Sequence, residues 1–276
     1  MKLGVRAHDF GKLKPSELAE TLKSAGFEAA QLALTKAIAG ISAFDDITPA
    51  ILDDVCMSFD KNNVEIAVLG CYVEIGALDK ETRLIEVEKF KKGLEHAKAL
   101  GANLVGTETT NFLPDMEHMR ESAYSGVKDS VLRMAEKAEK LGVCIAIEPV
   151  ADHTLNSAML TRRLLDEVDS KCLKIILDPV NLILTEEDIC KQENIYSNFF
   201  DLVGEDVAAL HVKDIVLSED GEKLWKNIGC GEIIYEGLFD RLRKYKKDFP
   251  ILREHIEKDS YKTDIEEMRR LIKGDV

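Results

Sequence analysis

The chain predicts a (β/α)8 TIM barrel folded as a single domain over residues 1–276, on three observations. Its 276 residues, 45% of them hydrophobic, can bury one large core and match the roughly 250 residues such a barrel uses. Short, almost wholly apolar runs alternate with amphipathic stretches, as a parallel sheet buried on both faces requires. A weak repeat of amphipathic helix, glycine and apolar run recurs along the sequence.

The first strand is expected at Leu3–Arg6. It runs on into Ala7-His8-Asp9-Phe10, not into the Gly-x-Gly-x-x-Gly turn of a doubly wound dinucleotide-binding sheet, which is the structural alternative. A helix begins where Pro15 follows Lys14, and Gly26 ends it before a second strand at Ala30–Leu34. Thr48-Pro49 reads as an N-cap with a first-turn proline, and Asn63 closes that helix ahead of Ile66–Gly70. Val87, Phe90, Leu94 and Ala97 share one helical face, followed by Gly101 and the strand Leu104–Thr107. Val127, Val131, Ala135, Ala138 and Leu141 share the next, followed by Gly142 and Cys144–Ile147. Each closing glycine suits the left-handed position in which a Cβ is penalised. Lys174–Leu177, Ala208–Val212 and Ile251–Arg253 complete eight strands, the number that closes a barrel. The longest irregular stretches, Leu113–Ser122 and Leu217–Ile233, follow strands four and seven, on the end where loops shape a substrate pocket.

A formal net charge of −14 works against nucleic acid, because neutralising phosphates needs clustered Lys and Arg. Met1–Phe10 lacks the basic start and apolar stretch of a secretory signal, and no apolar run is long enough to span a bilayer. A cytoplasmic protein with no membrane partner is expected, with its oligomeric state, homo-oligomer included, left open. Six cysteines at scattered spacings, with no C-x-x-C, read as reduced core residues and not as a disulfide frame or zinc site.

Four apolar runs end on metal-binding side chains: Ile-Ala-Ile-Glu148, Ile-Ile-Leu-Asp178, Ala-Ala-Leu-His211 and Ile-Leu-Arg-Glu254. Spacings of 30, 33 and 43 residues, about one strand-plus-helix unit each, bring them to one end of a parallel barrel. Clustered acids there repel one another unless a cation or proton separates them. Three carboxylates and an imidazole suit one divalent ion, Mn²⁺ foremost, with Mg²⁺ or Co²⁺ tolerated, and nothing in the set excludes Zn²⁺. Neutral oxygens of a sugar or polyol fit the remaining coordination.

The segments Ile147-Glu148-Pro149, Leu177-Asp178-Pro179-Val180-Asn181-Leu182, Leu210-His211-Val212-Lys213-Asp214, Ile228-Gly229-Cys230-Gly231-Glu232-Ile233 and Arg253-Glu254-His255 resemble the sugar phosphate isomerase/epimerase family of xylose-isomerase-like barrels. That superfamily includes ketose 3-epimerases, inosose dehydratases and endonuclease IV. The resemblance covers the second half of the chain well and the first half mainly in its strand–helix rhythm. It implies that Glu148, Asp178, His211 and Glu254 bind a shared divalent metal, and that Glu148 and Glu254 also act as the acid/base pair of a sugar or sugar phosphate isomerase or epimerase working through an enediolate. One departure stands out. Three residues after the ligand Asp, where ketose epimerases of this kind carry a histidine, this chain has Asn181, which hydrogen-bonds to a hydroxyl but carries no charge.

Among other residues, His8, Glu108, His153, Asn181 and Lys213 are the substrate-binding candidates. Arg6 and Asn111 lie near strand ends on the same face, and Lys213 either neutralises an oxyanion or pairs with Asp214. Trp225 reads as packing or as a plate for a sugar face, and Gly229-x-Gly231 as a tight turn. His96 and His118 read as peripheral, and alternation points His255 away from the interior. The rival functions are an inosose-type dehydratase on the same metal site, an endonuclease IV-like nuclease, which the charge and the six histidines disfavour, and a non-catalytic sugar-binding barrel.

Overall fold

Eight parallel strands close into a barrel in a computed structural model that describes residues 1–112, 114–245, 249–256 and 261–274. The order of elements is β1 (Lys2–Arg6), α1 (Pro15–Ala25), β2 (Ala29–Leu32), α2 (Leu34–Ala37), α3 (Pro49–Asn62), β3 (Glu65–Gly70), α4 (Lys80–Ala99), β4 (Leu104–Glu108), α5 (Arg120–Leu141), β5 (Cys144–Glu148), α6 (Ala158–Val168), β6 (Leu173–Leu177), α7 (Glu186–Val203), β7 (Val207–Val212), β8 (Asp214–Leu217), β9 (Lys223–Lys226), α8 (Glu236–Tyr245), β10 (Pro250–Arg253) and α9 (Tyr261–Lys273). Around the barrel β1 to β7 follow in sequence, and β10 closes the ring between β7 and β1. β8 and β9 stand outside it as an antiparallel hairpin.

The expected helix boundaries have physical causes that the structure displays. The Thr48 side chain accepts a hydrogen bond from the Ile51 N–H at 3.4 Å. Gly26, Asn63, Gly101 and Gly142 all sit at positive φ where a helix turns into the next strand. The faces read from periodicity, Val87, Phe90, Leu94 and Ala97 on α4 and Val127, Val131, Ala135 and Ala138 on α5, are buried. Together with the outward faces of the strands they form the large core between sheet and helices.

Inside the barrel a second, smaller core consists of Val68, Ala146, Ile176, Ala209 and Leu252. Gly106 is required in this floor, since a Cβ there would lie 2.9 Å from both Ile176 and Val68. Two residues further along the strands, the same inward alternation carries Arg6, Gln31, Glu108, Glu148, Asp178, His211 and Glu254 to the C-terminal rim. An apolar plug thus supports a polar mouth.

Four expectations are corrected. All six cysteines are free, but only Cys71 is a core residue; Cys56, Cys144 and Cys172 are half-buried, and Cys190 on α7 and Cys230 in the loop before α8 are exposed, because they fall at the outer ends or faces of their apolar segments. β2 ends at Leu32, and Leu34 opens the short helix α2; the buried apolar run simply continues across the strand end. The stretch Leu113–Ser122 is mostly helical, with a 3-10 turn over Pro114–Met119 leading into α5, while Leu113 itself lies outside the described residues. The stretch Leu217–Ile233 contains half of the β8–β9 hairpin, whose four-residue strands are too short to announce themselves. Among the described residues no helix is long and apolar enough to cross a membrane.

Candidate active site

Each of β5, β6, β7 and β10 delivers one side chain to the rim, and three of them meet closely. Glu148, Asp178 and His211 are all buried, and each offers a ligand atom within 4.8 Å of the others. His211 Nδ1 lies 3.1 Å from Glu148 Oε2, 3.7 Å from Asp178 Oδ2 and 3.5 Å from Glu254 Oε1. Glu254 sits beside this triad rather than in it. Its Oε2 accepts from Lys213 Nζ at 3.1 Å and lies 3.5 Å from Arg6 Nη1.

Lys213 is buried at 4% exposure, and its ammonium also lies 2.7 Å from Asp178 Oδ2. The pairing with Asp214 is therefore corrected. Asp214 instead accepts the backbone N–H groups of Ile215, Gly229, Gly231 and Ile233. Gly231 has no alternative, because a Cβ would fall 2.2 Å from Asp214 Oδ1. The two glycines thus fasten a loop to a carboxylate.

Electrostatics divide the cluster. Burial pushes the Glu148 carboxyl up, with His211 opposing. Burial acts the same way on Asp178 and Glu254, but Lys213 and His211 outweigh it and hold both below the ordinary carboxylate range, Arg6 assisting at Glu254. Burial pushes the His211 imidazole down, and the carboxylates of Glu254 and Glu148 more than reverse it. Lys213 is likewise held above its usual value despite burial, by Asp178 and Glu254.

The donor set fits a divalent ion. Neither ring nitrogen of the buried His211 makes a hydrogen bond, which is costly unless another ligand takes up the ring. Ligand atoms this close suit a shared ion at the ordinary 2.0–2.2 Å of N and O donors, roughly. Proton and metal compete for the imidazole, so an ion held there would require the neutral ring.

The mouth above is a cavity of about 500 Å³ lined by Arg6, His8, Glu108, His153, Asn181, Lys213 and Glu254, among others, so every substrate-binding candidate lies in it. Asn181 Nδ2 donates to Glu148 Oε1 at 2.5 Å. Burial, then Glu148, pushes the Glu108 carboxyl up to about 7, and His153 Nε2 stands 4.0 Å from it. Asn111 bridges to His153 in the neighbouring loop and donates to Asp152 at 3.4 Å. His96 stacks on Phe44, and His118 is exposed next to Asp115; neither lines the mouth.

His255 is a further correction. The strand ends at Arg253, so alternation no longer governs; the backbone turns at His255 with φ 56°, and its ring lines the mouth. It stacks on Trp225 with centroids 3.7 Å apart, while Lys213 Nζ lies 5.7 Å from the same indole. Buried Arg253 donates to the Lys226 carbonyl at 3.1 Å and to Asp264 at 2.7 Å, tying β9 to β10 and α9. Sequence reading missed Lys36, Tyr72 and Lys223, which also line the cavity. Their signal was position: Tyr72 and Lys36 fall just after β3 and β2, on the same face as the ligands.

The family described as xylose isomerase-like TIM barrel matches residues 19–272. No protein of curated function matches the sequence. Similar solved structures include the apo form of 3-keto-D-glucoside 4-epimerase YcjR from E. coli, with 18% identity, 98% of each chain covered and a TM-score of 0.76. A D-tagatose 3-epimerase-like protein is similar at 17% identity, with 99% of this chain and 97% of that one covered and a TM-score of 0.79. The IolI protein with a bound zinc atom follows at 17% identity, 99% and 96% coverage and a TM-score of 0.73. At such identities the likeness speaks for the fold.

Proposed function

The chain belongs to the xylose isomerase-like TIM barrel family, and on that premise we propose that it is a divalent-metal-dependent isomerase or epimerase of a small sugar. The observation that carries this reading is the convergence of buried Glu148, Asp178 and His211, the His211 ring making no hydrogen bond, next to Asn181, Lys213 and Glu254 of a polar cavity. Similar structures include a D-psicose 3-epimerase described in the presence of D-fructose, the zinc-bearing IolI protein and a magnesium complex from Mycobacterium smegmatis, in keeping with a sugar ligand and a divalent ion. We take Mn²⁺ as the favoured ion, residues 1–276 as one domain and the cytoplasm as its place.

Glu148, Asp178 and His211 would hold the ion, with Glu254 as the fourth donor. Bound there, the ion would supply Lewis acidity to a carbonyl and the adjoining hydroxyl. The protein's own part is proton transfer. One of the two glutamates removes the proton from the carbon next to the carbonyl, leaving an enediolate, and the other protonates the opposite face, so configuration inverts. Their surroundings equip them separately: Asn181 orients Glu148, and Lys213 with Arg6 orients Glu254. Lys213 also places a fixed positive charge where oxyanion character develops. Glu108, a further carboxyl in the cavity within 4.0 Å of His153, favours a second reading in which a β-hydroxyl is expelled, as in dehydration of an inosose.

The test is metal analysis of purified protein with deuterium wash-in from D₂O across a panel of ketoses and inosose, followed by NMR. One equivalent of ion and exchange at a carbon beside a carbonyl are expected. Loss of water with inosose alone would establish the second reading, and an ion-saturated protein that exchanges nothing would overturn both.

A further inference from the structure

A phenol stands at the mouth where the ring of strands is read straight across. In that eight-stranded ring β2 and β3 lie opposite β6 and β7, which carry Asp178 and His211. On either side of β6 and β7 lie β5 and β10, which carry Glu148 and Glu254. The end of β2 presents Gln31, and Tyr72 follows the end of β3 by two residues. Gln31 Nε2 donates to the Tyr72 hydroxyl oxygen, and Tyr72 lines the cavity together with Glu108, Asn181 and Glu254.

Gln31 is 1% exposed, and its Oε1 is buried without a partner. A buried amide satisfied at one end only costs stability, and packing alone is served as well by an apolar side chain. The one side-chain hydrogen bond of Gln31 goes to Tyr72 and occupies the phenol oxygen, so the hydroxyl hydrogen is free to point elsewhere; it has no acceptor among the described residues. Lys36 rests over the ring face, 4.2 Å from the centroid, and leaves the hydroxyl open. Burial, then Glu254 and Glu148, pushes this hydroxyl well above its ordinary value, so it keeps its hydrogen and serves as a donor.

We propose that Tyr72 is a catalytic residue whose hydroxyl, aimed by Gln31, donates a hydrogen bond to a substrate oxygen on the side away from Asp178 and His211. A sugar held at both ends of this line does not turn, and its reacting carbon is presented to Glu148 on one flank and Glu254 on the other. Held at the Asp178–His211 end alone, it pivots, and carbon and carboxylate lose their alignment. The inference rests on the functional reading above for the reaction, but the hydrogen bond itself is made without turnover.

The experiment is calorimetric binding of xylitol and glucitol, which lack the carbonyl the reaction needs, to Mn²⁺-saturated native protein, Tyr72→Phe, Gln31→Leu and the double variant. Tyr72→Phe keeps the ring and removes only the hydroxyl; it should weaken the better-bound polyol about fivefold or more, the scale of one hydrogen bond, with ion content unchanged. Gln31→Leu should weaken it about threefold alone and add nothing to Tyr72→Phe, because Gln31 acts through that hydroxyl. Binding by Tyr72→Phe within about twofold of native, full additivity of the two losses, or a native protein that binds neither polyol would overturn the proposal. Deuterium wash-in on the ketose panel keeps this apart from the functional reading, and there Tyr72→Phe should lose about 10²-fold through misalignment. Native exchange that Tyr72→Phe retains in full removes the role of Tyr72 and leaves the isomerase; the expected binding losses without exchange on any ketose leave the contact standing and remove the isomerase.

Discussion

The rim of the barrel divides into two arcs that share geometry and differ in chemistry. Strands β5, β6, β7 and β10 present Glu148, Asp178, His211 and Glu254, all but sealed from solvent, while β1 to β4 present Arg6, Gln31, Gly70 and Glu108 at equivalent heights. Backbone position is nearly identical in the two arcs, so only the residue placed there decides whether a strand end holds an ion or greets a ligand. The lesson is that one arc gathers the side chains able to hold an ion and the other does not.

The sharpest way to break that division is to neutralise carboxylates one at a time. Glu148→Gln or Glu254→Gln should lower exchange at the substrate carbon by about 10³-fold or more, the scale of a lost general acid or base; near-native exchange in either would remove its assignment. His211→Asn should cost the bound ion itself, read as metal content after dialysis, and retention of a full equivalent would place the ion elsewhere. In the other arc, Glu108→Gln is expected to cost only about tenfold in kcat/KM, the low end of what a positioning hydrogen bond contributes. If it silences the protein as fully as Glu148→Gln, the arcs are not distinct, and dehydration with Glu108 as acid gains ground.

Two milder changes sharpen the picture. Gly106→Ala, which crowds the floor beneath both arcs, should destabilise by about 1–3 kcal/mol in urea unfolding without altering which sugars bind. Asn181→His should shift preference among ketoses by a few-fold while metal content holds; a parallel loss of ion would show that the Asn181 contact to Glu148 serves the metal instead.

Much of this was legible before any coordinates. The four ligand candidates stood out because each closes an apolar run, and a strand buried on both faces must end where polarity begins. Glycines and Asn63 marked the helix ends for the same steric reason they are needed there. What escaped was long-range or irregular. Lys213 pairs with Asp178 and Glu254, 35 and 41 residues away, and not with its neighbour, because packing and not sequence proximity selected its partners. The hairpin was invisible because its strands are four residues each and are held by contacts distant in sequence, Asp214 to the Gly229 N–H and Arg253 to the Lys226 carbonyl. His255 was misdirected by extending alternation two residues past the strand.

Trp225 is the sole tryptophan of the chain, and it stands at the mouth with its ring laid on His255. All indole emission from this protein therefore originates at the cavity. Occupancy of the mouth can be followed as a change in fluorescence intensity or colour with no dye attached, and the chain carries its own optical gauge where it is most informative.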